Sequence, residues 1–157
     1  MIVVSDTSCI SNLLTVQHAH LLHLLFGEVI IPPAVEIELQ RFHPDLPAFL
    51  KQASPQNTPL LSKLALELGA GEAEAICLAC ELKADRLLID EKHGRKVALR
   101  EGLAIIGIVG VLVTAKQKGF LLSIRALLDR LETEAGFRLS QAVRSSVLQA
   151  VGEATVT

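Results

Sequence analysis

A layered α/β fold built on a parallel sheet is what this sequence predicts, on three observations. Four short runs are apolar at consecutive positions and rich in β-branched residues, as strands buried on both faces are: IVVS (2–5), EVII (28–31), RLLI (86–89) and LAII (103–106). Helical patterns lie between them, and strand–helix alternation implies βαβ units. Half of the 157 residues are apolar but only 3% are aromatic, with no Trp and no Tyr, so the core must be packed from Leu, Ile, Val and Ala.

The helical segments follow in order. QHAHLLHLLF (17–26) repeats its leucines at helical spacing, and PPAVEIELQRF (32–42) opens with prolines that suit a helix start. Residues 44–59 hold four of the six prolines and polar filler, which reads as an irregular surface excursion rather than a linker. GEAEAICLACELK (71–83) follows a Gly-Ala-Gly turn, and EKHGRKVALRE (91–101) follows the third predicted strand. After Gly110 the pattern is helical to the end, through VLVTAKQKGF, SIRALLDRLETE and LSQAVRSSVLQAV, with fraying expected after Glu153. At this length the chain reads as one domain, 1–157, burying roughly 70% of its unfolded surface.

Composition excludes several functions. Fifteen basic against seventeen acidic residues, a net charge of −2, argues against a strongly basic nucleic-acid coat while leaving room for a local patch. Three cysteines and no secretory leader suggest reduced thiols in a cytoplasmic protein. Cys77 and Cys80 are spaced Cys-x-x-Cys but lie inside an apolar helical run with no second ligand pair, so they read as structural. His18, His20 and His23 read as surface or core-edge residues. No apolar run approaches about 18 residues, so no membrane span is expected.

The informative residues are acidic. In parallel α/β sheets ligands bind beyond the carboxyl ends of the strands. Asp6 directly follows the first predicted strand, and Asp90 and Glu91 directly follow RLLI. Asp6 also suits a helix cap, and both readings stand at this point. Helix phase adds two candidates. Glu38 points along an apolar stripe of Val35, Leu39 and Phe42, where a carboxylate is costly unless compensated, whereas Glu36 projects with Gln40 and His43. Glu72 is in phase with Ile76 and Ala79, whereas Glu74 shares a face with Leu78 and Glu81 that looks more exposed. In the first helical turn Glu72 would also be favoured by the helix dipole whatever its function. Gathered in one cleft, Asp6, Glu38, Glu72 and Asp90 or Glu91 would repel one another. A hard divalent cation, Mg²⁺ or Mn²⁺, is the natural compensation, and it suits phosphodiester hydrolysis.

VSDTSCISNL, IPPAVEIEL, LGAGEAEAICLACE and RLLIDEKHGRKVA, in that order from residue 2 to about 120, resemble the motifs of PIN-domain proteins, closest to the group of VapC-type toxins. The resemblance implies a three-layer α/β/α fold with a central parallel sheet of about four to five strands and a Mg²⁺- or Mn²⁺-dependent ribonuclease. Asp6 would be the first metal ligand, with Thr7 or Ser8 beside it and Asn12 steadying the site. Glu38 matches the second acidic position, and Glu72 the third, where such toxins more often carry Asp. Asp90 is favoured for the fourth because it ends the strand, with Glu91 second. A toxin of this type pairs with a small antitoxin and often forms a homodimer. Two departures stand out: GRKVALREG replaces the usual Asp-Phe ending after the fourth acid, and helices from about Leu121 lie beyond the resemblance.

Lys92, His93, Arg95, Lys96 and Arg100 offer contacts to RNA phosphates or form an ordinary solvated helix face. The alternative to a nuclease is a degenerate PIN domain that binds RNA or protein without cutting. A haloacid-dehalogenase-type phosphotransferase would also place Asp after a strand, but it needs a second carboxylate two residues on, where Ser8 stands.

Overall fold

The computed structural model describes residues 1–153. The expected fraying after Glu153 lies outside the described residues. In chain order the elements are β1 (Val3–Ser5), α1 (Thr7–Thr15), α2 (His20–Phe26), β2 (Val29–Ile31), α3 (Pro33–Gln40), β3 (Leu50–Gln52), α4 (Thr58–Ala65), α5 (Ala70–Leu82), β4 (Arg86–Leu88), α6 (Lys92–Arg100), β5 (Ile105–Ile106), α7 (Ile108–Gln117), α8 (Ile124–Ala135) and α9 (Gln141–Ala150).

The five strands form one sheet in the order β3-β2-β1-β4-β5, and every pairing is parallel. From β1 the chain runs outward through β2 to β3, then returns across the sheet to β4 and β5. The direction therefore reverses between β1 and β4, where open α/β sheets form their binding crevices. Successive side chains of a strand point to opposite faces, and each face has its own core. Val3 and Leu88 join the cluster shared with α1, α2, α3, α7 and α8. Val4, Leu87 and Ile89 join the one shared with α4, α5 and α6. The result is a three-layer α/β/α fold with nine helices among the described residues.

The structure corrects three sequence expectations. Residues 44–59 are not wholly irregular: Leu50–Gln52 pairs in parallel with β2 as an edge strand, and α4 begins at Thr58. An edge strand reading Leu-Lys-Gln, half-buried then exposed, carries no apolar run to announce it. The helix expected over 17–26 starts only at His20, because Gln17 takes a left-handed φ of 55° and separates α1 from α2. Phe42 does not extend the stripe of Val35 and Leu39; it lies past the end of α3 and is 78% exposed. The helices beyond Leu121 pack onto the rest of the domain, with Ile124, Leu127, Leu128, Leu131 and Leu148 buried in the larger core.

These last helices are fastened by one carboxylate. Glu153 accepts from Lys116 Nζ on α7 (2.6 Å), Ser123 Oγ (3.1 Å) and the backbone N–H of Ile124 (2.8 Å) and Arg125 (3.2 Å) at the start of α8. Burial alone would push this carboxyl up. The Lys116 bond, then the two backbone donors and Ser123, outweigh it and hold the group down at about 2. Folding thus favours the ionised form, so the stabilisation is complete above a pH of about 4.5 and is lost as pH falls towards 2. Glu153→Gln is expected to cost about 1–3 kcal/mol in urea denaturation at pH 7, with the gap to wild type narrowing at pH 3. A pH-independent gap would rule out the charged clasp.

Candidate active site

Asp6 sits where β1 ends and α1 begins, at the reversal point of the sheet. Its backbone N–H donates to the Leu88 carbonyl of β4 (3.0 Å), which keeps the two strand ends together. The side chain fills both roles open to it in the sequence. It caps α1, accepting a long bond from the Cys9 N–H (3.4 Å), and it faces a cleft of about 200 Å³. Only 2% of Asp6 is exposed. Burial raises its carboxyl to about 7, helped by the nearby charges of Asp90 and Glu72 against the Cys9 and Ser8 hydrogen bonds.

Asp6, Thr7, Ser8, Glu38, Gly69, Gly71, Glu72 and Glu91 line the cleft. Four carboxylates therefore reach it from four places: the end of β1, the α3 helix, the first turn of α5 and the loop after β4. Thr7 Oγ1 donates to Glu38 and turns that carboxylate inward. Ser8 Oγ lies 3.4 Å from the second oxygen of Asp6. Glu72 is held above the usual carboxylate range by burial first and then by Glu91 and Glu38, with His93 acting the other way. One oxygen of Glu72, Oε2, is buried and has no hydrogen-bond partner.

Two glycines make room for these groups. A Cβ on Gly71 would stand 2.8 Å from both Glu38 oxygens, and a Cβ on Gly94 would collide with Glu72 Oε2 and the tip of Ile89. Helices α5 and α6 thus approach the carboxylates with bare backbone.

At the fourth acidic position the structure separates the two candidates. Glu91, not Asp90, lines the cleft with Asp6, Glu38 and Glu72. Asp90 turns the other way: both its oxygens accept from the Ile108 N–H at the start of α7 (3.1 Å each), and the Cys9 thiol donates to it (3.1 Å). Asp90 remains close enough to raise the Asp6 carboxyl, but its bonds anchor β4 to α7. Asn12 lies further along α1, half-buried and outside the cleft lining.

Glu36 also stands apart from the cleft, accepting from Gln52 Nε2 on β3. Glu38→Gln is accordingly expected to weaken Mn²⁺ binding roughly 10- to 100-fold, measured by calorimetry, while Glu36→Gln leaves it within about twofold. Equal effects would remove the distinction. Sequence reading missed Glu74: it is half-buried and accepts from the Ala34 N–H (3.1 Å), capping the start of α3. The cysteines carry free thiols, Cys9 and Cys77 buried and Cys80 half-buried. Burial pushes the Cys77 thiol up to about 11, with Glu81 adding to it.

Would a hard divalent cation fit? The donors facing the cleft are all oxygen, and the orphaned Glu72 Oε2 is an acceptor with nothing to accept. Among the described residues no group of three or more His, Cys, Asp or Glu side chains forms a metal site. Mg²⁺ is commonly held by one or two carboxylates and keeps several waters, and the cleft fits that mode rather than a closed cage.

Fold and cleft together define an α/β/α domain with carboxylates gathered at the reversal point of its sheet. The family model described as a PIN domain matches residues 2–153, and the chain belongs to that family. The match runs through α8 and α9, well past residue 120. PIN domains are generally nucleases and typically use divalent metals. No curated protein matches the chain. No helix among the described residues is long and apolar enough to cross a membrane.

Proposed function

We propose that this protein is a Mg²⁺- or Mn²⁺-dependent endoribonuclease that hydrolyses RNA phosphodiester bonds, acting as the toxin of a toxin–antitoxin pair. The observation that carries the reading is the meeting of Asp6, Glu38, Glu72 and Glu91 in one cleft, with Glu72 Oε2 buried and unpartnered. Asp6 and Glu72 would hold the ion, with the Glu38 and Glu91 carboxylates in the same cleft adding negative charge beside it. Once bound, such an ion neutralises phosphoryl charge and lowers the pKa of water. The chain's own contribution is placement. Thr7 keeps Glu38 aimed inward, Ser8 supports Asp6, and Asp90 fixes the end of β4 so that Glu91 faces the cleft. The toxin role draws on the order of the VapC-like motifs; with it come a small antitoxin as partner, a homodimer and a cytoplasmic setting.

One observation favours a second reading, a degenerate domain that binds RNA or protein without cutting: although four carboxylates line the cleft, no three His, Cys, Asp or Glu side chains among the described residues stand together as a ready metal site. Calorimetric Mn²⁺ titration of wild type and Asp6→Asn separates the two without a guess about the RNA. Saturable binding lost in the variant supports the nuclease. A folded wild type that takes up no Mn²⁺, alone or with RNA present, supports the binding module.

A further inference from the structure

Beside the acidic cleft, and sharing Glu91 with it, lies an open groove of about 830 Å³ lined by Asp90, Glu91, Lys92, His93, Arg95, Lys96 and Leu99. Its floor is the outer face of α6. Lys92, Lys96 and Leu99 fall at i, i+4 and i+7 on that face, while Gly94, Val97 and Ala98 are buried beneath it.

Several basic residues elsewhere on the protein are engaged by carboxylates. Arg130 pairs with Glu134, Arg144 with Asp129, Arg138 with Glu132 and Lys116 with Glu153. Arg100, at the far end of α6, pairs with Glu67 and Glu101. Lys92, Arg95 and Lys96 form no salt bridge among the described residues. Arg41, Lys63, Lys83, Arg86 and Lys118 form none there either, so what sets α6 apart is that three such cations stand on one helix beside the cleft. Lys92 and His93 also occupy the first turn of the helix, where a cation opposes the dipole. Helix stability therefore does not account for Lys92 and His93. In a chain of net charge −2, this concentration of unpaired positive charge beside a carboxylate cleft calls for an anionic occupant.

We infer that the α6 groove is the track for the RNA strand next to the cleavage site, with flanking phosphates on Lys92, Lys96 and Arg95 and a nucleotide's apolar face over Leu99, which is 59% exposed. The inference rests on the ribonuclease reading of the cleft and adds the path of the substrate to it. It also divides the five basic residues of this helix into four that line the track and Arg100, which does not.

The test uses a fluorescein-labelled single-stranded RNA of about 12 nucleotides, with anisotropy read in EDTA so that nothing is cut. Lys92→Ala/Lys96→Ala should weaken binding at least roughly tenfold and reduce the slope of log K against log salt by about 1.4, two single-strand phosphate contacts at about 0.7 each. Arg100→Ala, one charge fewer on the same helix, should leave the slope unchanged. With Mn²⁺ present the double variant should show a raised KM and a kcat within about twofold of wild type. A double variant with wild-type affinity and slope would overturn the track while leaving cleavage by the cleft intact. Wild-type protein that binds RNA through Lys92 and Lys96 but neither binds Mn²⁺ nor cuts would instead overturn the nuclease reading and keep the track. Binding of poly-glutamate but not RNA through the same lysines would overturn the RNA assignment in favour of an acidic protein segment.

Discussion

Asp6→Asn is expected to remove metal-dependent RNA cleavage, by at least roughly 100-fold, and at the same time to stabilise the metal-free protein at pH 8. The second effect follows from the environment of the side chain. Asp6 is buried, and its carboxyl lies at about 7 in the fold against an ordinary value of 3.8. The folded protein keeps a proton that the unfolded chain gives up, so wild-type stability falls as pH rises from about 4 to about 7 and then levels off. Asn cannot ionise and retains an oxygen to accept from Cys9, so the variant should lack that slope. The two proteins should melt alike near pH 4 and diverge by up to roughly 4 kcal/mol well above pH 7, since one pKa unit is about 1.4 kcal/mol. Mn²⁺ at about 100 times its Kd should then raise the wild type by about 2.7 kcal/mol and leave the variant unmoved. Thermal melts at pH 4 and pH 8, with and without Mn²⁺, measure all of this. A variant less stable than wild type at pH 8 would mean that burial does not hold the Asp6 proton in the folded protein.

Gly94→Ala is expected to disable the site while sparing the fold. The added methyl would fall on Glu72 Oε2 and the tip of Ile89, both far ends of side chains that can move. Crowding costs about 1–3 kcal/mol, offset in part by the gain of roughly 1 kcal/mol when Ala replaces Gly in a helix. Net stability should therefore change little. Glu72, however, must leave its place, and Mn²⁺ affinity should fall roughly 10- to 100-fold. Shortening the displaced side chain in the same background, Glu72→Asp with Gly94→Ala, should recover part of the loss. Wild-type Mn²⁺ affinity in Gly94→Ala would show that the Glu72 carboxylate is not needed where it stands.

What the sequence disclosed and what it withheld follow one physical line. β1 and β4 were legible because strands buried on both faces need unbroken apolar runs, and Asp6 because it interrupts one. Glu38 and Glu72 were legible from helix phase, although part of the stripe behind Glu38 was illusory: α3 ends at Gln40 and Phe42 lies beyond it. β3 was not legible, since an edge strand with one covered side needs no such run. Neither was the choice between Asp90 and Glu91. Both follow the strand, and only the arrival of α7 gives Asp90 an N–H to accept from. Glu74 and Glu153 escaped for the same reason, because each caps a helix distant in sequence and local pattern carries no trace of such a contact.

Helix α7 has a mechanical role that its sequence gives no hint of. Its first residue hangs from Asp90 and its last turn is gripped by Glu153 through Lys116, two attachment points about 12 Å apart along a ten-residue rod. A rod pinned at both ends cannot slide or rotate without releasing a pin. The terminal helices and the carboxylate-bearing edge of the sheet are thereby joined by a strut, and slack introduced at one end is felt at the other.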